Sequence, residues 1–192
     1  MTLKNIVVVW VLSMLLMACG DKPHKYDSLG YGDTVLAFGD SVTFGYGVSP
    51  DASYPVILSE LSSWTVVNSG ISGERADQAK HRIAEALNEH APKVVIIELG
   101  GNDFLQRRSS QLVKEDLRAI IQSVKQAGAI PVLVAVPALS PVAALTGKPS
   151  DSGIYAELAK EENINVISNV FSDILGNDDL KHDMVHPNQA GY

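Results

Sequence analysis

The chain has 192 residues, enough for one compact domain and too few for two of ordinary size. Its net charge is −7 and no basic run is present, which excludes nucleic acid as a partner, because phosphate binding needs clustered Lys and Arg. Cys19 is the only cysteine, which excludes an internal disulfide framework.

The first predicted element is a targeting segment. MTLKN carries one Lys, and IVVVWVLSMLLM follows as a mostly apolar run. Its length suits a signal-peptide core and falls short of the roughly 20 residues of a membrane span. LMAC then closes on Cys19. This string resembles the lipobox of bacterial lipoproteins, in which cleavage precedes a lipid-modified cysteine. The resemblance implies a signal peptide over 1–18, lipid attachment at Cys19 and a tether over 19–33 that is rich in Gly, Asp and Lys. A membrane is then the expected partner, held through two or more acyl chains. Gly20 after the cysteine points, by the same resemblance, to the outer membrane of a bacterial envelope. An uncleaved anchor or an ordinary secreted signal are the other readings of this segment.

The domain is expected over 34–192. TVLAF reads as a buried strand and SYPVILSELSS as a helix. WTVVN is the next strand. ERADQAKHRIAEALNEH is a helix with Ala76, Ala79, Ile83 and Leu87 on one face. KVVIIEL is a strand, and SQLVKEDLRAIIQSVKQAG is a helix. Its core stripe is Leu112, Leu117, Ile120, Ile121 and Val124, with Gly128 as its stop. IPVLVAV, the helix SGIYAELAKEEN and the strand INVISNV complete the series. Strands separated by helices imply βαβ units and a parallel sheet of about five strands, an α/β/α sandwich. Ligands of such sheets bind beyond the carboxyl ends of the strands. The irregular stretch from Pro137 to Pro149 is a candidate wall for such a site.

Three residue types that make a nucleophile, its base and an orienting carboxylate occur in the order Ser41, Asp183, His186. Ser41 follows the first strand in FGDSVTFGYG, where Gly39 permits close packing. Asp183 and His186 share one short loop in HDMVHPNQAGY. Gly70 in NSGISG and Asn102 in LGGND each follow an apolar run and could donate N–H groups to an oxyanion, with Ser41 at its helix start. Each piece alone has a bland reading: a turn serine, a strand-end glycine, a capping aspartate beside a surface histidine. Asp40 and Asp103 read as loop-fixing acceptors, and buried Glu98 needs a partner. His182 is the rival base. No GxSxG is present, so the nucleophile elbow of α/β-hydrolases is not the template. No metal or other cofactor enters this reading.

Together, GDSVTFGYGV, VVNSGISGE, VIIELGGNDFL and DMVHPNQAGY resemble the GDSL or SGNH hydrolase superfamily, closest to its bacterial thioesterase I, lysophospholipase and arylesterase group. The second family name maps onto Ser41, Gly70, Asn102 and His186. The resemblance implies a flavodoxin-like fold and a serine esterase acting on carboxylic esters or thioesters: lysophospholipid, short-acyl or aryl esters. A carbohydrate O-acetyl esterase and a non-catalytic envelope lipoprotein are the alternatives. It also implies a final helix opening at HPNQAGY, which the sequence to Tyr192 does not include.

Overall fold

The computed structural model describes residues 29–138 and 149–192. The expected signal peptide, Cys19 and the tether up to residue 28 lie outside the described residues, as do positions 139–148 of the Pro137–Pro149 stretch.

In chain order the elements are β1 (Thr34–Gly39), α1 (Ser41–Phe44), α2 (Tyr54–Leu61), β2 (Thr65–Gly70), α3 (Ala76–Ala79), α4 (Ile83–His90) and β3 (Val94–Glu98). There follow α5 (Gly101–Leu105), α6 (Ser110–Gln126), β4 (Ile130–Val134), α7 (Gly153–Glu162), β5 (Asn165–Ile167) and α8 (Val170–Leu175). The five strands form one parallel sheet in the order β2-β1-β3-β4-β5. This is the expected α/β architecture.

β1 lies inside the sheet, and Val35, Leu36, Ala37 and Phe38 are all fully buried. A strand covered on both faces reads as a continuous apolar run, which is what TVLAF is. β2 and β5 are the sheet edges, and their side chains are partly exposed. α6 buries Val113, Leu117, Ile120, Ile121 and Val124 completely. Burying a side chain of this kind stabilises the fold by roughly 1.5–3 kcal/mol. Leu112 is not in that stripe: it is half exposed, and Val113 occupies the place. The reason is phase, since Val113 lies one turn before Leu117 and Leu112 lies five residues before it.

The helix expected over ERADQAKHRIAEALNEH is two short helices. Ala76, Ala79, Ile83 and Leu87 are buried as that pattern requires, but Lys80–Arg82 leave the helix. Arg82 accounts for the break. Its guanidinium turns back to the ends of β1 and β2, donating to Glu74 (2.6 Å), Ser69 Oγ (2.8 Å) and the Ser69 carbonyl (3.0 Å). It also lies 4.0 Å over the Phe38 ring. INVISNV is likewise split. β5 has only three residues, and Asn169, at φ 67°, turns the chain into α8.

Candidate active site

The in-register pairing brings Gly39 level with Gly70 on one side and with Glu98 on the other. The loops that follow β1, β2 and β3 therefore leave the sheet side by side. They carry Ser41, the Gly70–Glu74 turn and Asn102.

Ser41 is the first residue of α1, after Asp40, whose Oδ1 accepts from the Val42 N–H at 3.1 Å. Its Oγ lies 3.0 Å from His186 Nε2. The other ring nitrogen of His186 lies 2.8 Å from Asp183 Oδ2 and 3.0 Å from Oδ1. An ionised carboxylate only accepts, so Nδ1 carries hydrogen and Nε2 is free to accept from the serine hydroxyl in the neutral ring.

The loop holding both residues is tied at its base. Lys181 and Pro187 form a bridge, and His182 N–H donates to the His186 carbonyl at 2.8 Å. Asp183 Oδ1 also accepts from the N–H groups of Val185 and His186, each at 2.8 Å. One carboxylate thus shapes the loop and aims the ring. Burial pulls its pKa up, but the hydrogen bonds from the His186 ring and from the Val185 and His186 N–H groups outweigh that and hold it below the usual range. His182 is exposed, and its ring meets Tyr46 edge-on, with centroids 6.5 Å apart. The Tyr46 ring packs on His186 itself, with centroids 4.4 Å apart. Sequence reading passed over Tyr46, although it sits in the GYG that ends the serine motif.

Backbone donors can be sorted by what they already bond. The N–H of Ser41 has no partner among the described residues. The N–H of Gly70 does: it donates to Asn68 Oδ1 at 3.0 Å. Gly70 serves packing instead, because a Cβ there would meet Phe44 N at 2.2 Å. The expectation that Gly70 donates to an oxyanion therefore needs correction. Three residues on, Gly73 turns the chain at φ 82°, and its N–H has no partner among the described residues. The carbonyl of Glu74, the next residue, accepts from Asn102 Nδ2 at 3.1 Å, so this turn abuts the Asn102 amide. NSGISG offers two glycines, and only the turn after the strand tells them apart. Asn102 Nδ2 also donates to Asp40 Oδ2, at 2.9 Å.

Asp40 and Glu98 are almost completely buried, at 4% and 2% exposure, and their carboxyl groups touch. Thr43 donates to Glu98 Oε2 from its N–H (3.3 Å) and its hydroxyl (2.9 Å). Burial pushes Asp40 up to about 6, against the hydrogen bonds of Val42, Glu98 and Asn102. Burial and the Asp40 charge push Glu98 well above the usual range. Asp103, also expected to fix a loop, is fully buried, accepts from the Ala76 N–H at 2.9 Å and pairs with Arg108.

A cavity of about 690 Å³ opens beside Ser41, His186 and Asn102. Phe104, Leu105, Val136, Phe171, Leu175 and Met184 line it with apolar surface. Arg107 and Lys181 also line it. Among the described residues no group of three His, Cys, Asp or Glu side chains is placed to hold a metal ion. Among the same residues no helix is long and apolar enough to cross a membrane.

The chain is 35% identical over 160 residues to "Thioesterase 1/protease 1/lysophospholipase L1" of Escherichia coli K12, covering 82% of this chain and 76% of that protein. It is 28% identical to "Uncharacterized lipoprotein YqeF" of Bacillus subtilis 168, over 69% of this chain and 56% of that one. The psychrotrophic esterase EstA of Pseudoalteromonas sp., in a crystal structure inhibited by monoethylphosphonate, superposes with a TM-score of 0.70 at 26% identity, over 82% of this chain and 88% of that one. The model of the GDSL-like lipase/acylhydrolase family matches residues 37–192. With that match over most of its length, on a five-stranded parallel sheet, the chain belongs to the GDSL-like lipase/acylhydrolase family and is an ester-hydrolysing enzyme of the SGNH type.

Proposed function

We propose that this chain hydrolyses acyl esters or thioesters through a Ser41–His186–Asp183 triad and an acyl-enzyme, tethered to a bacterial membrane by lipid on Cys19. The observation that carries the chemistry is the unbroken relay from Ser41 Oγ through both nitrogens of His186 to Asp183. His186 Nε2 takes the Ser41 proton as Oγ attacks the acyl carbon. Asp183 stabilises the imidazolium that results. The N–H groups of Ser41 and Gly73 receive the oxyanion, and Asn102, whose two amide hydrogens go to Asp40 and to the Glu74 carbonyl, joins them by turning one of those hydrogens to the oxyanion. The imidazolium then returns its proton to the leaving oxygen or sulfur. Water, deprotonated by the same ring, releases the acid.

The substrate class follows from the cavity. Its apolar walls suit an acyl chain, and the volume admits more than an acetyl group. A lysophospholipid, acyl thioester or aryl ester therefore ranks above a sugar O-acetyl group. The names of the Escherichia coli relative favour the first two. The lipid anchor rests on the lone Cys19 closing an apolar run, and on the similarity to a Bacillus subtilis lipoprotein.

A fluorophosphonate probe tests the enzyme directly. Ser41 becomes covalently labelled, and prior acylation by a slow ester blocks the label. An unlabelled Ser41 in folded protein overturns the reading.

A further inference from the structure

The relay through His186 leaves one polar cluster without a part. Asp40 and Glu98 meet in the interior directly behind Ser41, and neither forms an ion pair with Lys or Arg among the described residues. Two buried carboxylates in contact with no cation repel strongly, so such a pair holds a proton between them. The hydrogen bonds decide which partner keeps it. Asp40 accepts from the Val42 N–H and from Asn102 Nδ2, two donors that favour its charged form. Glu98 Oε2 accepts from Thr43, which leaves its other oxygen to carry hydrogen toward Asp40.

We propose that Glu98 is a positioning residue: protonated, it donates to Asp40 and leaves one negative charge, which holds the Asn102 amide and the turn beneath Ser41 in their catalytic arrangement. This rests on the roles given above to Ser41 and Asn102. The arrangement is built in. Gly39 lies so close that a Cβ would meet the Glu98 carbonyl at 2.5 Å, and the Asp40 N–H donates to that carbonyl at 3.2 Å. Thr43 in turn meets the Tyr54 hydroxyl at 3.2 Å.

Among the described residues no Lys or Arg pairs with Glu98 to offset its charge if it ionises. Tyr54 from α2, Tyr155 from α7 and Tyr192 from the C-terminal loop all feel the charges of Glu98 and Asp40, and all three phenols are pushed up by burial first, so they stay neutral. Among the described residues His186 is the basic group that acts on Asp40, and it is neutral when it acts as base. The second proton loss therefore puts two like charges side by side. Asp40 is driven off its contacts, and Asn102 loses the acceptor that aims it.

The test is the pH dependence of kcat for the full chain on a p-nitrophenyl ester. Wild type loses kcat at alkaline pH, with KM little changed. Glu98→Ala lowers kcat roughly 10- to 100-fold, as a displaced oxyanion donor does. Glu98→Gln recovers most of that loss, because its amide N–H can donate to Asp40 and its oxygen can accept from Thr43. It cannot ionise, so the alkaline decline disappears. An alkaline decline unchanged in Glu98→Gln, or absent from wild type, overturns the proposal. Should both variants fail to fold, carbon-13 NMR of the glutamate carboxyls in wild type decides. One signal stays in the protonated position at pH 7; ionisation of every glutamate overturns the proposal. That readout does not depend on Ser41 being the nucleophile, which fluorophosphonate labelling tests separately.

Discussion

The Tyr46 ring lies 4.4 Å from the His186 imidazole, tilted by 34°, on the face of the ring that links Ser41 to Asp183. Its backbone N–H donates to the Ser41 carbonyl at 2.9 Å, and its own carbonyl accepts from the Tyr192 hydroxyl at 3.0 Å. The turn that presents Ser41 thus also supplies a wall for the His186 ring. An aromatic face steadies the ring and favours the imidazolium that forms in the reaction. Tyr46→Ala is expected to lower kcat by about 10- to 100-fold through lost orientation. Tyr46→Phe keeps the wall and retains most activity, so equal losses in the two variants contradict a packing role.

In the proposed triad Ser41 and His186 act on one proton, so their losses are expected not to add. Ser41→Ala and His186→Ala are each expected to lower ester hydrolysis by several orders of magnitude, roughly 10⁶ in kcat where a triad dominates, and the double variant to be little worse. Asp183→Asn replaces the acceptor of the Nδ1 hydrogen and is expected to cost on the order of 10⁴. Additive losses in the Ser41–His186 cycle refute the triad. The same base requires activity to rise with pH across the range in which a histidine becomes neutral. A flat profile there contradicts it.

The oxyanion donors separate by kinetics and by stability. Asn102→Ala is expected to lower kcat by about 10²–10³ with KM little changed. Gly70→Ala and Gly73→Ala differ in kind. At Gly70 a methyl strikes the backbone of Phe44, and overpacking of this sort costs about 1–3 kcal/mol or more. At Gly73 nothing lies within 4 Å of the added carbon, and only the left-handed backbone is strained, by roughly 1–2 kcal/mol. Gly73→Ala should therefore melt nearer to wild type and still lose kcat, as its N–H turns away. Urea titration beside steady-state kinetics checks this; full kcat in Gly73→Ala returns the backbone donor to another residue.

Arg82 should matter to stability more than to chemistry. Its ion pair with Glu74 is mostly buried, at 21% and 9% side-chain exposure. Removing one partner of such a pair leaves the other charge uncompensated and costs about 3–5 kcal/mol. Arg82→Met is expected to lower the denaturation midpoint accordingly. Because Glu74 borders the Asn102 contact, some kcat falls with it. A change under about 0.5 kcal/mol, the size of an ordinary surface substitution, contradicts this account.

Stability should also decline as pH rises above the usual carboxylate range. Asp40 and Glu98 bind protons more tightly in the folded chain than in the unfolded one. The folded state then holds more protons, so stability falls from about pH 4, where unfolded carboxyls titrate, through the folded Asp40 value of about 6, and Glu98, also raised, extends the fall in the same direction. Asp183 and Asp77, whose folded values are lowered, act oppositely: their contribution is present above about pH 4 and is lost as pH falls further. The Tm is expected to peak on the acid side of neutral. A Tm that climbs steadily from pH 5 to 9 contradicts this balance.

The strands and the Asp183–His186 pair were legible for one reason: each is local in sequence. Val35–Phe38 and Val94–Ile97 are apolar at every position because both faces of β1 and β3 are covered. Asp183 and His186 share one loop, so their pairing shows as a spacing. What stayed hidden depends on contacts between distant segments. The break before Ile83 exists because Arg82 reaches Ser69 and Glu74, and nothing in AKHRIAE announces that. Leu112 and Val113 are equally apolar, and only the phase of α6 chooses between them. Gly70 and Gly73 stand in one motif, and the hydrogen bond from Gly70 to Asn68 separates them. Asn169 ends β5 by its left-handed turn, which an asparagine permits but does not require.

The contact between Ser41 and His186 joins residues 145 positions apart, and the loop that brings the histidine follows all five strands in chain order. A chain that folds from its N-terminus as it emerges can build the sheet around the serine long before its base is available. Throughout that interval the hydroxyl is an ordinary alcohol. With this order of parts, the proposed relay assembles only once the His186 loop has closed on the finished sheet.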